Sequence, residues 1–311
     1  MQPHVRSNSK PAVEANRGFQ VWWQMTRPHT LTASFVPVLL GTALALRYGK
    51  INFSLFFAML FASLLIQAAT NMFNEYYDFK RGLDTEHSVG IGGSIVRDGI
   101  KPVTVMKIAL SFYGIALLLG IYISANSSWW LAVIGAFSMA VGYFYTGGPV
   151  PIAYTPFGEL VAGFFMGMLI VLIAFFIQTG TVDATSVLVS IPIMILVGEI
   201  LLSNNIRDLD GDKENGRKTL AILLGKRRAI YLLAGLFTLS YLWAFLLIIT
   251  GVAPAWIAIV ILSVPKAIKA TQGFIKNNLP IHMAPAMKAT AQTNTFFGFL
   301  LAIGLFIGHY F

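Results

Sequence analysis

The chain has 311 residues, of which 56% are hydrophobic and only 11% charged, with a mean hydropathy of +0.71. Soluble domains carry roughly 25% charged residues, so the composition excludes an ordinary soluble domain and indicates a polytopic membrane protein. The net charge of +9 then reads as Lys and Arg gathered at one face of a lipid bilayer rather than as a nucleic-acid surface, and the absence of cysteine excludes thiolate catalysis, disulfides and Cys-ligated metals.

Residues 1–20 are polar and mixed, with no short apolar core leading to a small-residue cleavage site. They read as a flexible cytoplasmic tail ahead of a single transmembrane domain over 21–311. Nine apolar stretches follow, at 28–47, 54–77, 103–124, 129–146, 157–178, 186–206, 229–250, 254–270 and 291–310. Each is near the ~20 residues that cross a bilayer. They predict an all-α bundle of about nine transmembrane helices around a central cavity. Of the 22 Lys and Arg, 20 fall before the first stretch, between the second and the start of the third, between the sixth and seventh, or from the end of the eighth onward; Arg47 and Lys50 lie on the other side. That bias predicts a cytoplasmic N-terminus and an external C-terminus.

Two acidic segments close the second and sixth stretches: NMFNEYYDFKRGLD from Asn71 and NNIRDLDGDKENGRKT from Asn204. In the first, Asn71, Asn74 or Glu75, and Asp78 recur every three to four residues and share a helix face. In the second, Asn204, Asp208 and Asp212 do the same, although Gly211 weakens a helix there. Asp208 follows Asn74 by 134 positions, and Asp212 follows Asp78 by the same 134. Two acidic faces at one offset predict a duplicated unit with both copies turned to a common centre, at the cytoplasmic mouth of the bundle. After the fourth stretch, GYFYTGGPVPIAYTPFGE is a rigid turn by its glycines and prolines. Its Tyr143, Tyr145 and Tyr154 are equally an interfacial aromatic belt.

Carboxylates with Asn partners suit a hard divalent cation, and Mg²⁺ usually binds through one or two carboxylates plus substrate phosphates. The clusters hold no His, which argues against zinc. Lys80, Arg81, Arg207, Arg217 and Lys218 are interleaved with the acids, which suits an anionic phosphate ester carried on the metal. At the mouth of an apolar bundle, the matching substrate has a diphosphate head and a long hydrocarbon tail. If the tail is allylic, its cation is stabilised by aromatic faces, for which Phe73, Tyr76, Tyr77 and Tyr143 are candidates. Either cluster alone is an ordinary solvated loop; two at one offset, with Asn inside the apolar end of each helix, point to a site. A divalent-cation transporter is a further reading, but both clusters at one surface leave no alternating path.

The pairing of NEYYDFKRGLD with NNIRDLDGDKENGRKTL resembles the UbiA-type intramembrane prenyltransferases over roughly residues 20–310. The resemblance implies nine helices and two Asp-rich motifs that bind Mg²⁺ and a prenyl diphosphate. Within that family, NNIRDLDGDKENGRKTLA with its GKR continuation, and YTGGPVPIAYTPFGEL, are most similar to the branch that prenylates 1,4-dihydroxy-2-naphthoate in menaquinone synthesis, with loss of CO₂ and diphosphate. Sister branches act on 4-hydroxybenzoate, homogentisate or a glyceryl phosphate. By position, the resemblance implies Asp78, Asp84, Asp208 and Asp212 as metal ligands, with Asn74, Glu75 and Asn204 assisting. Glu75 stands where the family's first motif has Asp, and Asp84 arrives two residues late. Lys80, Arg81, Arg207 and Lys218, with Arg27 at the head of the first stretch, are implied for the polyprenyl diphosphate. For the naphthoate carboxylate the nearest unassigned cation is Arg97, in a glycine-rich loop that could act as a lid. Gln67 and Asn71 lie on the site face, with Tyr143 and Tyr145 at the mouth. Glu199 precedes Asp208 by nine residues and so faces about 180° away; it and Glu159 receive no role.

Overall fold

The computed structural model describes residues 18–83 and 93–310. The expected tail falls outside them up to residue 17, as do Asp84 and most of the glycine-rich loop. Among the described residues there is no strand, and the helices run in chain order. A short α1 (Phe19–Met25) leads to α2 (Pro28–Ala45), α3 (Phe53–Lys80), α4 (Pro102–Ala125) and α5 (Trp130–Phe144). The fifth apolar stretch is composite: α6 (Gly158–Ala162), a π-helical turn (Gly163–Met168) and α7 (Leu169–Thr179). Then come α8 (Ala184–Arg207), α9 (Leu209–Glu214), α10 (Leu220–Leu224) and α11 (Lys226–Ile249). A 3₁₀ segment (Ala255–Ser263) runs into α12 (Val264–Lys276), and α13 (Pro280–Tyr310) closes the chain.

Eight of these helices or continuous pairs are long and apolar enough to cross a membrane, and α5 is a shorter apolar helix of 15 residues. Nine apolar rods therefore stand where nine stretches were expected. Several helices start at local signals. Asn52 accepts the Leu55 N–H at the head of α3, and Asp183 and Ser186 form a reciprocal capping box on α8. Pro28 and Pro102 sit in the first turns of α2 and α4, where a missing N–H costs nothing.

The central helix is α8, which packs on α11, α13, α6 and the π-helical turn. Of its most apolar window 61% is buried, against 22% for α4, which shows its apolar side outward. Glycines make the closest approach possible. A Cβ on Gly163 would lie 2.4 Å from the Met194 carbonyl oxygen of α8, and one on Gly167 2.6 Å from the Met194 Cα. Neither distance is physical, so the backbones meet there with nothing between them.

Three boundaries differ from the sequence reading. The last helix begins at Pro280, not 291, because 280–290 is too polar to look like a span yet still winds as helix, burying Met283, Ala286, Met287 and Thr290. The eighth rod ends at Lys276 rather than 270, since its amphipathic end lays Ala267, Ala270 and Phe274 inward while its lysines lie elsewhere. The helix over the second acidic segment breaks at Asp208, which joins α8 to α9 with ψ near 6°.

Candidate active site

The first acidic segment is the last two turns of α3. Asn71, Asn74 and Asp78 lie on the face turned to α1 and α2, where the chain reverses at Arg27. Among the described residues Arg27 is the one non-glycine with positive φ, at 51°. Such left-handed backbone in a bulky residue costs energy and marks functional positions. Here it brings the guanidinium to Asn74, which accepts a hydrogen bond from Nη2 at 2.7 Å, with Glu75 Oε2 at 3.9 Å. One turn earlier, Asn71 donates to the Thr26 carbonyl at 2.8 Å and to Thr30 Oγ1 at 2.9 Å. Gln67 donates to Thr30 Oγ1 and to Asn71 Oδ1. The polar side chains of α3 and α2 thus form one ladder inside an apolar bundle.

The second segment supplies α9 and the turn after it. Asp212 is largely buried, and Gly216, at φ 76°, turns the chain back so that Arg217 N–H donates to the Asp212 carbonyl. The Arg217 side chain then spans both acidic segments. Its Nη2 lies 3.0 Å from Asp78 Oδ1 and its Nη1 3.1 Å from Asp212 Oδ1. Its guanidinium carbon sits 4.6 Å above the Tyr154 ring, a cation–π contact. Burial raises the Asp212 carboxyl to about 6, with Arg217 opposing the shift and Asp208 and Asp78 adding to it. Burial works against the Arg217 charge, but the two aspartates outweigh it and hold the guanidinium above its usual value. Asp208 is more exposed, at 38% of its side chain against 12% for Asp212, and pairs with Arg207 at 2.5 Å.

Below this end lies a cavity of about 290 Å³, lined by α2 to α5, the α6–α7 rod and α8. Its polar wall is Arg27, Thr30, Gln67, Asn71, Asn74 and Asn204, and the deeper lining is small and apolar, including Ala116, Gly120, Leu131 and Gly135. Among the lining residues the titratable ones are Arg27 and Tyr145. The combination is a slot for an apolar chain with a polar, cationic mouth.

Six of the expected residues therefore line one cavity: Arg27, Gln67, Asn71, Asn74, Tyr145 and Asn204; Asp78 lies one turn beyond Asn74 on α3, where Arg217 holds it. The others are placed differently. Glu75 is buried and turned away: Oε1 accepts from Gly93 and Ile95 N–H at 2.8 and 3.1 Å, and Oε2 accepts from Gly93 at 2.9 Å. Arg81 donates to the Thr146 and Gly148 carbonyls at 2.6 and 3.0 Å, and so holds the turn after α5. Arg97 grips Asp98 with two hydrogen bonds and does not line the cavity. Tyr143 shares a hydrogen bond with Tyr77 and packs on Phe73, also behind the cavity wall. Lys80 is exposed, and Lys218 flanks a second cavity with Arg81 and Tyr154. Asp84 lies outside the described residues. Glu159 is buried and accepts from Asn205 at 2.8 Å, while Glu199, fully buried, faces away from the cavity as its spacing required. Two participants were given no individual role from sequence: Thr30, an ordinary Thr two residues past a proline, and Arg217, named only as one of the cations interleaved with the second acidic segment.

The donor set fits a hard divalent cation. Asp78, Asp208, Asp212 and Asn74 offer oxygen alone, and among the described residues no three acidic side chains converge on one point. A magnesium shell of one or two carboxylates completed by phosphate and water oxygens matches that arrangement.

The sequence profile of the UbiA prenyltransferase family matches residues 34–287. The chain is 64% identical over 291 residues to the 1,4-dihydroxy-2-naphthoate octaprenyltransferase of Bacillus subtilis (strain 168), covering 94% of each. It is 30% identical over 288 residues to the human UbiA prenyltransferase domain-containing protein 1, covering 90% of this chain and 82% of that one. Among solved structures, a UbiA homolog from Aeropyrum pernix K1 superposes with a TM-score of 0.68 at 16% identity, covering 89% of this chain and 98% of that one. A UbiA homolog from Archaeoglobus fulgidus bound to DMAPP and Mg²⁺ gives 0.58 at 15% identity, covering 91% and 99%. At that identity, both likenesses speak for the fold.

Proposed function

The chain belongs to the UbiA prenyltransferase family, and from that premise we propose that it transfers a polyprenyl group from an all-trans polyprenyl diphosphate to 1,4-dihydroxy-2-naphthoate. CO₂ and diphosphate are lost and demethylmenaquinol is formed, a step of menaquinone biosynthesis. The acceptor follows from the 64% identity to the Bacillus enzyme over almost the whole chain. The reading is carried by one observation: Arg217 joins Asp78 and Asp212, and Asn74, one turn before Asp78 on α3, lines the polar wall of an apolar cavity.

In this reading the C1–O bond of the polyprenyl diphosphate breaks and both its electrons leave with the diphosphate. Asp78, Asp208 and Asp212, with Asn74 assisting, are the residues that would hold Mg²⁺, through one or two carboxylates to an ion, and the metal would supply positive charge against the charge that develops on the leaving group. Arg27 and Arg207 add fixed positive charge at the same mouth. The apolar wall keeps water from the allylic cation. C1 bonds to the ring carbon that bears the carboxylate, and the electron pair of the breaking C–CO₂ bond restores aromaticity. That route releases no ring proton. It suits a cavity whose titratable lining is an arginine and a tyrosine, without carboxylate or imidazole. Arg27 is the cation in the cavity wall able to meet the naphthoate carboxylate. The distribution of Lys and Arg supports a cytoplasmic side for this mouth and the N-terminus, within one transmembrane domain taken as 21–311.

The test is the purified protein in detergent with Mg²⁺, a polyprenyl diphosphate and a panel of aromatic acceptors, following prenylated product and CO₂. Product with equimolar CO₂ from 1,4-dihydroxy-2-naphthoate alone is expected. Product from 4-hydroxybenzoate without CO₂ would move the protein to a sister branch. No product from any acceptor would overturn the reading.

A further inference from the structure

Arg217 carries more than a surface charge needs. It joins aspartates 134 residues apart in sequence, Asp78 and Asp212, and its two Nη atoms hold one carboxylate oxygen from each. Each aspartate is held through Oδ1, which leaves its Oδ2 for another partner. The two carboxylates would otherwise repel across the mouth, and a planar fork between them fixes their separation and orientation. Beneath it, Tyr154 supports the guanidinium face, and the Lys218 N–H donates to the Tyr154 carbonyl at 2.8 Å, which locks that support to the same turn.

The remaining hydrogen-bonding capacity is unspent. Arg217 Nε and the Tyr154 hydroxyl are both buried, and neither has a hydrogen-bond partner among the described residues. They are neighbours and carry one hydrogen each. Were one to turn to the other, a buried hydrogen would still lack an acceptor, and such a group costs about 1–3 kcal/mol. The two side chains already interact with one another, so what the pair lacks is one acceptor, which an anionic oxygen supplies. In a site read as binding a diphosphate, that oxygen has an obvious source.

We propose that Arg217 is the residue that couples the two acidic segments and, with Tyr154, donates hydrogen bonds to an oxygen of the diphosphate, so that the metal ligands and the leaving group are held by one side chain. The proposal rests on the diphosphate reading of this site. It assigns Tyr154 a hydrogen-bonding part beside its aromatic one. It also separates Arg217 from Arg81, whose donors already hold the Thr146 and Gly148 carbonyls.

The experiment measures binding without turnover. Inorganic pyrophosphate is titrated calorimetrically into the detergent-solubilised full chain with Mg²⁺ present, for wild type, Arg217→Gln, Arg217→Lys and Tyr154→Phe; 1,4-dihydroxy-2-naphthoate is titrated separately. Arg217→Gln is expected to weaken pyrophosphate by tenfold or more. Arg217→Lys, which keeps the charge but loses the fork and Nε, should fall between it and wild type. Tyr154→Phe should lose a few-fold, and naphthoate binding should be unchanged in all three. Should Arg217→Gln fail to fold, Arg217→Lys and Tyr154→Phe decide the matter. Wild-type pyrophosphate affinity in the folded variants would overturn the role of Arg217, whereas no pyrophosphate binding by wild type would overturn the site reading itself.

Discussion

At the scale of single residues, similar acidic side chains do different work here, and burial with local partners decides which. Asp212 is held near 6 by burial, and protonation removes the charge a metal ligand needs. Its raised value means the proton is taken up as pH falls through about 6. Mg²⁺ affinity is therefore expected to be full well above that pH and to decline below it. Because metal and proton compete for the same oxygens, the decline should move to lower pH as Mg²⁺ is raised. Mg²⁺ titrations across roughly pH 5 to 8 check this, and an affinity flat over that range would contradict it. Glu75 is the contrasting case. The resemblance implied a metal ligand, yet its two oxygens accept from Gly93 and Ile95. Glu75→Gln is expected to keep Mg²⁺ affinity within a few-fold while making the 93–98 turn more open to protease. A tenfold loss of Mg²⁺ affinity with unchanged proteolysis would restore it as a ligand. Sequence spacing put Asn71, Asn74 and Asp78 on one face because a helix fixes that geometry. It could not show that Glu75, one position round, is claimed by a backbone 18 residues away, nor that Arg217 returns across a glycine turn to reach Asp78. Those contacts depend on loops, and loops carry no periodicity.

At the scale of elements, lipid makes the helices legible and small residues decide how closely they meet. Among the described residues the apolar stretches located the eight spanning helices and the shorter α5, because a segment in the bilayer must satisfy its own backbone hydrogen bonds. The ends were less readable. The start of α13 at Pro280 is polar in sequence, and α9 separates from α8 at Asp208 through backbone geometry that one glycine in the sequence only hinted at. Small residues at helix interfaces let backbones approach, and the π-helical turn against α8 is one such close approach. Gly167→Val is expected to wedge that turn away from Met194, since even the first added carbon meets α8 backbone at 2.6 Å. Overpacking of this kind costs typically 1–3 kcal/mol, so the melting temperature in detergent should fall by several degrees. Because Val161, Ala162, Phe165 and Met166 on the same rod line the cavity, substrate affinity should fall with it. A variant that melts with wild type would show that the two helices can part without cost.

At the scale of the whole molecule, every functional argument depends on which end of the bundle faces the cytoplasm. The polar end gathers Asp78, Asp208, Asp212, Arg207 and Arg217, and the loops at that end carry nearly all the positive charge, while Arg47 and Lys50 lie near the opposite ends of α2 and α3. The absence of cysteine makes the orientation directly measurable, because a single introduced thiol has no background. Glu214→Cys lies at the exposed end of α9, and Lys50→Cys in the exposed connection before α3. With a membrane-impermeant maleimide, Glu214→Cys is expected to label in inside-out vesicles and to stay unlabelled in intact cells, with Lys50→Cys showing the reverse. The opposite pattern would place the mouth outside. A diphosphate ester and a naphthoate supplied from the cytoplasm would then have no route to the acids, because anions cross the hydrocarbon layer too slowly to supply an enzyme. Orientation is thus a condition of the chemistry, and the bias in Lys and Arg that sets it was among the first features readable in the chain.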